Sequence, residues 1–274
     1  MKSSLRALYE RLRGTPPTQT DIRPAPVDHL DFTATYPMLV EDLKQGRDRD
    51  RAMELAIGGE FEAYGALEIA VLKHFGLADD SYLVDVGCGS GRLAKPLSQL
   101  LKVAYLGIDI VPELVEYARE LVARPDWRFE VAEGLKIPEA DGVADMVCFF
   151  SVFTHLLHEQ SFVYLQEAAR VLRPGGVIVF SYLDFAVDCH WDVFEANVTG
   201  LEGSSHPLNM FMSRDTIHAW AEHLSLSIEA VLDGDEAWIP LSEPVVFETG
   251  VVMEGRGSFG QSVCALRKSA NEGA

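Results

Sequence analysis

The residues most able to do chemistry stand in one short run, "DVGCGSG", which carries Asp85 and then Gly87, Gly89 and Gly91. Glycines have no Cβ atom, so the backbone at such a strand-to-helix turn can approach a polar ligand closely. The spacing differs from the G-x-G-x-x-G of dinucleotide-binding turns, and a carboxylate before the first glycine would face a pyrophosphate unfavourably. An ammonium or sulfonium group would suit it better, and a tight turn without a ligand is the alternative.

Two further acids follow predicted strands. "VAYLGID" ends in Asp109, about 20 residues after the last glycine, where a carboxylate can accept hydrogen bonds from both ribose hydroxyls. "FEVAEGLKI" places Glu133 where an acceptor could meet an exocyclic amine, beside the apolar Leu135 and Ile137. The alternatives are a helix cap for Asp109 and an ordinary surface side chain for Glu133. The two acids shift the balance toward a bound nucleoside.

The elements that must position these residues alternate between short β-rich runs and helical runs, which is typical of a parallel sheet covered on both faces. The predicted strands are 82–85, 104–109, 127–131, 146–150 and 177–182, and the predicted helices are 92–101, 112–124, 159–172 and 214–224. "VLRPGG" predicts a helix end and a turn before the fifth strand. Three later runs, "SIEAVL", "VVFETGVVM" and "SVCALR", predict further strands.

The flanking segments differ in character. A short amphipathic helix with Leu5, Leu8 and Leu12 on one stripe comes first, and the proline-rich residues 14–28 predict an extended arm. Residues 31–75 are helical in pattern, with an exposed turn at 44–51. The segment 184–212 has no clear period and is much longer than the usual connection of about 2 to 6 residues. Its length and its aromatic residues favour a functional loop.

Composition narrows the partners. Among 274 residues there are 23 Lys and Arg against 42 Asp and Glu, a formal charge of -19 that would repel a nucleic-acid backbone. The four cysteines form no CxxC pair, so neither zinc nor a disulfide framework is expected. No apolar run reaches the roughly 18 to 20 residues of a membrane span, and the first residues lack a signal-peptide pattern. We expect a cytoplasmic protein without metal, membrane or nucleic-acid partners, and a homodimer is left open.

The motifs together resemble a known family. The glycine run, Asp109, Glu133, the fourth strand "ADMVCFFS" and "LRPGG" follow the order and spacing of class I S-adenosylmethionine (SAM) dependent methyltransferases over about residues 82–182. The resemblance implies an α/β, Rossmann-like seven-stranded sheet with helices on both faces. The sheet would be mostly parallel, with the last strand antiparallel and inserted next to the fifth.

The same resemblance divides the chain and assigns its cofactor. It implies an N-terminal arm and helical lid at 1–76, a SAM-binding core at 77–183, a substrate-loop insertion at 184–212, and a C-terminal helix and strands at 213–274. SAM would be the cofactor and S-adenosylhomocysteine the product. The residues implied for it are Asp85, Gly87, Cys88 and Gly89 at the methionine moiety, Asp109 at the ribose, Ile110, Glu133, Gly134 and Leu135 at the adenine, Ser151 beside the reacting centre, and Phe61 and Tyr64 as a shield. Glu133 stands where the family usually has Asp.

Methyl transfer from a sulfonium is an in-line displacement, for which a protein must align the nucleophile, exclude water and sometimes remove a proton. Histidine titrates near neutral pH, and the predicted bases are His190 and His206 in the long loop. Predicted substrate contacts are Tyr182, Asp184, Trp191 and His155. A packing or solvated role is the alternative for each histidine. By elimination we expect a small-molecule acceptor, with an oxygen, nitrogen or carbon nucleophile among which the sequence does not choose.

Three other functions remain in competition. A nicotinamide-dependent oxidoreductase would use the same sheet, but the glycine spacing and Asp85 count against it. A SAM-binding protein without turnover would keep every motif. An enzyme that transfers another group from SAM would also keep them. Detection of methyl transfer to an acceptor would exclude the SAM-binding protein without turnover. Analysis of the product would distinguish a methyltransferase from an enzyme that transfers another group.

Overall fold

The computed structural model of the chain describes residues 32–200 and 209–270. The predicted first helix, the proline-rich arm and His206 lie outside the described residues. The helices are α1 (Phe32–Lys44), α2 (Arg49–Ala56), α3 (Phe61–His74), α4 (Ala94–Leu100), α5 (Pro112–Val122), α6 (His158–Val171), α7 (Trp191–Gly200) and α8 (Arg214–His223). The strands are β1 (Tyr82–Val86), β2 (Ala104–Asp109), β3 (Arg128–Val131), β4 (Ala144–Phe149), β5 (Leu172–Asp184), β6 (Phe211–Met212), β7 (Leu226–Leu232), β8 (Ile239–Pro240), β9 (Val245–Val246), β10 (Val252–Met253), β11 (Arg256–Gly257) and β12 (Ser262–Lys268).

The main sheet has the order β3-β2-β1-β4-β5-β12-β7. Strands β1 to β5 are mutually parallel, and β12 runs antiparallel to both of its neighbours, with Cys264 opposite Phe180 on one side and Val231 on the other. The seven-stranded sheet with an inserted antiparallel last strand is therefore confirmed. The two-residue β6 adds a short eighth strand beside the end of β5, which the sequence did not predict.

Apolar side chains cover both faces of the sheet, which explains why its strands are almost continuously hydrophobic. Within β1, Leu83 packs into a core formed with α3, α4 and α5, whereas the next residue, Val84, packs into a core formed with α6 and α8. Both side chains are fully buried. Alternation along each strand thus fixes two layers of helices and leaves the carboxyl ends of β1 to β5 at one edge.

Helices α1 and α2 lie over that edge. Val40 and Met53 are buried against Leu114 and Tyr117 of α5. Ion pairs join the same elements, Arg49 to Glu120 at 2.6 Å and Lys44 to Glu113 at 3.1 Å. In the predicted turn before α2, Asp48 accepts a hydrogen bond from the backbone N–H of Arg51 at 2.9 Å and begins the helix.

Two local predictions differ from the structure. The predicted turn at "RPGG" is a bulge inside β5, where the register with β4 shifts and Gly175 takes a φ of +81°. The insertion, predicted without regular structure, contains a short 3-10 helix (Asp188–His190) and α7. Phe194 of α7 packs between Phe185 and Phe211, with ring centroids at 5.8 and 5.4 Å. These long-range aromatic contacts, rather than local periodicity, support that helix.

Within residues 32–200 and 209–270, no helix combines the length and the apolar composition that spanning a bilayer requires. The same residues contain no group of three or more His, Cys, Asp or Glu side chains arranged to hold a metal ion.

Candidate functional site

A cavity of about 470 Å³ lies at the carboxyl edge of the sheet, above β1, β2 and β4. Strand order reverses between β1 and β4, and ligands of open α/β sheets bind at such a switch point. The cavity is lined by the glycine loop, the ends of β2 and β4, the turn after β4, and helices α1, α2 and α3. Its volume is in the range of small-molecule sites, about 300 to 1,000 Å³.

The glycine loop is shaped by close packing on two sides. Gly87, Gly89 and Gly91 have φ angles of +79°, +54° and +93°. A Cβ atom on Gly87 would come within 2.3 Å of Val152 Cγ2, and one on Gly89 within 2.6 Å of Ile57 Cγ2. Both the backbone conformation and the available space therefore require glycine at these positions.

The backbone N–H groups of the loop are used inside the protein. Those of Gly87 and Cys88 donate to the carbonyl of Ile108 at 2.7 and 3.0 Å, and that of Gly89 donates to Asp109 Oδ2 at 2.9 Å. A loop that cradles phosphate needs such groups directed at the ligand. This loop supplies shape and a short distance to the ligand, and it does not form an anion-binding cradle.

We expect Gly87→Ala to lower the free energy of unfolding by roughly 2 to 4 kcal/mol, because it adds a steric clash with Val152 to the cost of a positive φ. Gly142→Ala is the matched control, since Gly142 has a φ of +69° and no atom within 4 Å of a Cβ. The control should lose only about 1 kcal/mol. Chemical denaturation measures both, and equal losses would show that the contact with Val152 is not limiting.

Asp85, at the end of β1, is a buried carboxylate with two side-chain donors. Tyr105 Oη donates to its Oδ2 at 2.6 Å, and Cys148 Sγ contacts its Oδ1 at 3.5 Å. Burial raises the pKa of Asp85 to about 7, and the hydrogen bond from Tyr105 acts in the opposite direction. A cationic ligand group in the cavity would stabilise its charged form.

Asp109 forms a second carboxylate wall at the end of β2. Its Oδ2 accepts the N–H of Gly89 and its Oδ1 accepts the N–H of Val111, each at 2.9 Å. Burial raises the pKa of Asp109, and the backbone hydrogen bonds from Val111 and Gly89 lower it. The side chain is thereby held in one orientation at the cavity, with lone pairs left for ligand hydroxyls.

A buried ion pair completes the charged part of the wall. Arg92 donates to Glu68 Oε1 through Nε at 2.9 Å and Nη2 at 2.6 Å, and through Nη1 to the carbonyl of Ile57 at 2.9 Å. Glu68 is only 2% exposed; burial raises its pKa and Arg92 lowers it. Neither residue was predicted from the sequence, although an acid within the apolar stripe of α3 is a signal for a paired, buried carboxylate.

The predicted cofactor residues divide into two groups. The cavity is lined by Asp85, Gly87, Cys88, Gly89, Asp109, Ile110 and Ser151. It does not include Glu133, Gly134, Leu135, Phe61 or Tyr64. Glu133 is exposed to solvent, and Tyr164, whose hydroxyl donates to the carbonyl of Gly134 at 3.3 Å, lines the cavity in that region together with Ala132.

The predicted shield from α3 is replaced by residues of α1 and α2. Tyr64 lies behind the wall, with the Arg92 guanidinium 5.3 Å from its ring centroid. The cavity is instead lined there by apolar and aromatic side chains that were not predicted from the sequence, namely Tyr36, Leu39, Leu55 and Ile57. Only the packing of α1 and α2 on α5 brings them there, so no local sequence signal marked them.

Three predicted substrate residues lie away from the cavity. Asp184 is 1% exposed and accepts Arg214 Nε at 2.7 Å, and Tyr182 donates to it at 3.3 Å. Trp191 is 44% exposed and packs on Phe194. The end of β5 turns toward α8 and α7 rather than toward the cavity. The fourth, His155, does line the cavity, with its ring 5.2 Å from that of Tyr36.

His190 is buried outside the cavity lining, with both ring nitrogens engaged. Nε2 donates to the carbonyl of Gly260 at 3.1 Å, and Nδ1 lies 2.9 Å from the backbone nitrogen and 3.1 Å from the carbonyl oxygen of Asp184. The structure therefore does not bring this predicted base to a ligand, because its contacts hold the insertion against the start of β12. Among the described residues of the insertion, Asn209 lines the cavity, and Asn197 Nδ2 donates to its carbonyl at 2.7 Å.

Comparisons with known proteins find similarity to methyltransferases. Residues 84–180 match the methyltransferase domain family. The ribosomal protein L11 methyltransferase of Clostridium botulinum is 31% identical over 131 residues, which are 44% of this chain and 40% of that protein. The tocopherol O-methyltransferase of Arabidopsis thaliana is 30% identical over 142 residues, which are 48% of this chain and 40% of that protein. The chain thus spans about 40% of the length of these curated relatives.

A longer match and a solved structure extend the similarity. The malonyl-[acyl-carrier protein] O-methyltransferase of Hahella chejuensis is 30% identical over 200 residues, 68% of this chain and 67% of that protein. A Haloferax volcanii protein solved in complex with the Trm112 methyltransferase activator superposes with a TM-score of 0.59 at 19% identity, over 85% of this chain and 97% of that one. At that identity the superposition shows the fold. The glycine loop, Asp85 and Asp109 line the cavity, as the family's motifs require. Because of the longer match and the matching domain, the chain belongs to the class I S-adenosylmethionine-dependent methyltransferase family.

Proposed function

We propose that this chain transfers a methyl group from SAM to a small-molecule acceptor, at an oxygen, nitrogen or carbon nucleophile, chiefly through proximity and orientation. The observation that carries the proposal is the covered cavity. Tyr36, Leu39 and Ile57 line it together with the glycine loop, so donor and acceptor would share about 470 Å³. A small acceptor suits that space.

The cavity residues fit the donor. Asp109 would bind the ribose hydroxyls, and the apolar Ile110 and Leu114 would pack on the adenine. Asp85 and Glu68 are buried carboxylates that a methionine ammonium group would complement. The glycine loop leaves the N–H groups of Gly87, Cys88 and Gly89 bonded internally, which disfavours a pyrophosphate in the same place.

When bound, SAM supplies a methyl group on a positively charged sulfur, already activated for displacement. The protein has to align the acceptor and keep water out. Leu39, Leu55 and Ile57 form the apolar cover for that purpose. We further propose that His155 takes the proton of the acceptor, since its imidazole lines the cavity and the ring of Tyr36 packs edge-on against it.

His155→Ala is expected to lower kcat by about 100-fold, the usual scale of general-base catalysis, and to leave the affinity for S-adenosylhomocysteine within about twofold. The assay is transfer of radiolabelled methyl from SAM to fractionated small-molecule pools, followed by the pH dependence of kcat with the acceptor found. His223→Ala, on the exposed face of α8, is the control. An unchanged kcat and pH profile in His155→Ala would remove the base. Absence of transfer to every small-molecule fraction would remove the proposed acceptor class.

A protein acceptor is the second candidate. The relative from Clostridium botulinum is named for a ribosomal protein, and the formal charge of -19 would attract a basic protein electrostatically. The same charge disfavours a nucleic-acid acceptor. In the labelling experiment, radioactivity retained with macromolecules after gel filtration and removed by protease would favour the protein acceptor over the small molecule.

A further inference from the structure

A closed hydrogen-bond network joins three polar side chains at the end of the cavity beside the glycine loop. Ser181 Oγ accepts the N–H of Ser151 at 2.7 Å and donates to Gln261 Oε1 at 2.7 Å. Gln261 Nε2 in turn donates to Ser151 Oγ at 3.1 Å. Ser151 and Gln261 line the cavity, whereas Ser181 is fully buried behind them.

The network determines the direction of its protons. Because Ser181 Oγ accepts from the Ser151 backbone, its own proton goes to Gln261, which fixes the carbonyl oxygen of that amide toward Ser181. The Gln261 amide nitrogen then faces Ser151, whose hydroxyl oxygen is an acceptor in this contact. The remaining donors, the Ser151 hydroxyl proton and the second Gln261 N–H, are left for the cavity.

The backbone of Ser151 is strained to reach this place. Its φ of +57° lies in the left-handed region, which costs a residue with a Cβ about 1 kcal/mol or more. The turn also packs against the glycine loop, because the side chain of Val152 occupies the space that a Cβ atom on Gly87 would need. The donor pair is therefore next to the loop that would hold the methionine moiety.

Among the described residues, the charged side chains of the cavity lining at this end are two carboxylates and one guanidinium, whose hydrogen bonds go to protein acceptors. Glu68 and Asp85 are both buried carboxylates, and Arg92, the one Lys or Arg among the described residues of the lining, directs three N–H groups at Glu68 and Ile57. A methionine moiety carries a carboxylate as well as an ammonium group. The acids suit the ammonium, and the carboxylate needs donors of its own.

We infer that Ser151 and Gln261 bind the carboxylate of the methionine moiety of SAM, and that Ser181 is the positioning residue that orients them. The inference rests on the proposed donor. It also assigns a part to the insertion, because His190 Nε2 donates to the carbonyl of Gly260, the residue that precedes Gln261. The buried histidine supports the start of β12 and so the donor pair.

The test compares two ligands by calorimetry at pH 8: S-adenosylhomocysteine, and 5′-methylthioadenosine, which keeps the nucleoside and thioether and lacks the amino-acid group. Gln261→Glu replaces a donor by a carboxylate of nearly equal shape. It is expected to weaken S-adenosylhomocysteine at least about tenfold and 5′-methylthioadenosine less than about twofold. Gln160→Glu is the matched control, because the Gln160 amide oxygen caps α6 outside the cavity lining and a carboxylate can do the same.

Ser151→Gly removes the hydroxyl donor while relieving the left-handed backbone, so the fold is retained. It should show the same selective loss for S-adenosylhomocysteine, about fivefold or more. If the affinities for the two ligands change equally in both variants, or do not change at all, the inference is wrong. Ser151 and Gln261 would then be assigned to binding the acceptor. If the unmodified protein binds neither ligand, the proposed donor fails together with the inference.

Discussion

Asp109→Ala is expected to weaken the binding of S-adenosylhomocysteine by about 100-fold or more. The carboxylate would accept both ribose hydroxyls, and two charge-assisted hydrogen bonds in a buried site account for roughly 3 kcal/mol. The same side chain also accepts the N–H groups of Gly89 and Val111, so its removal loosens the glycine loop as well. Calorimetric titration of the ligand into the purified variant measures the loss.

Two variants separate binding from folding. Asp109→Asn keeps one carbonyl oxygen and should lose affinity to an intermediate extent. Asp79→Ala is the matched control, since Asp79 also accepts a backbone N–H, that of Lys102 at 2.8 Å, outside the cavity lining. Its affinity should stay within about twofold of the unmodified protein. An Asp109→Ala protein that is folded and binds as tightly as the unmodified one would refute the ribose assignment.

Asp85 is expected to give the ligand-free protein a marked pH dependence of stability. Its folded-state pKa of about 7 lies above the ordinary aspartate value of 3.8, so the folded state binds an extra proton between these two pH values. Stability from this group is then complete below pH 4 and is lost as pH rises through 7. The loss is at most about 4 kcal/mol, because each pKa unit corresponds to about 1.4 kcal/mol.

Asp85→Asn should remove that dependence. At pH 8 the ligand-free variant is expected to be more stable than the unmodified protein, and the difference should shrink toward pH 5. Its affinity for S-adenosylhomocysteine should be lower at pH 8, since the neutral amide cannot pair with the ammonium group. Denaturation curves at several pH values measure the first effect. A difference in stability that is constant from pH 5 to 8 would show that Asp85 does not titrate in this range.

The seven strands β3-β2-β1-β4-β5-β12-β7 could be predicted because each of them carries a local pattern. Runs such as 82–85 and 104–109 are apolar and end in an aspartate, and the alternating helices are long enough to cross over between parallel strands. The insertion could not be predicted in the same way. Its helix α7 depends on Phe194 meeting Phe185 and Phe211, which are brought together only by the fold.

The residues of the site also fall into a group that the sequence predicts and a group that it does not. Asp85, the glycines and Asp109 were predictable because they follow strands of a parallel sheet, whose carboxyl ends meet at one edge. Glu68, Tyr36 and Gln261 come from α3, α1 and the residue before β12, far apart in sequence. Their places depend on helix packing and on an antiparallel strand pairing. In the sequence, His190 resembled a catalytic loop residue. The structure instead buries its ring against the backbone of Asp184 and Gly260, outside the cavity lining.

The most direct test of the central claim, that the glycine-loop cavity binds the methyl donor, is a pair of calorimetric titrations of the unmodified protein at pH 8. One uses S-adenosylhomocysteine and the other NADH at the same concentration. We predict saturable binding of one S-adenosylhomocysteine per chain and no binding of NADH, because Asp85 and the internally bonded loop disfavour a pyrophosphate. Saturable binding of NADH without binding of S-adenosylhomocysteine would contradict the account.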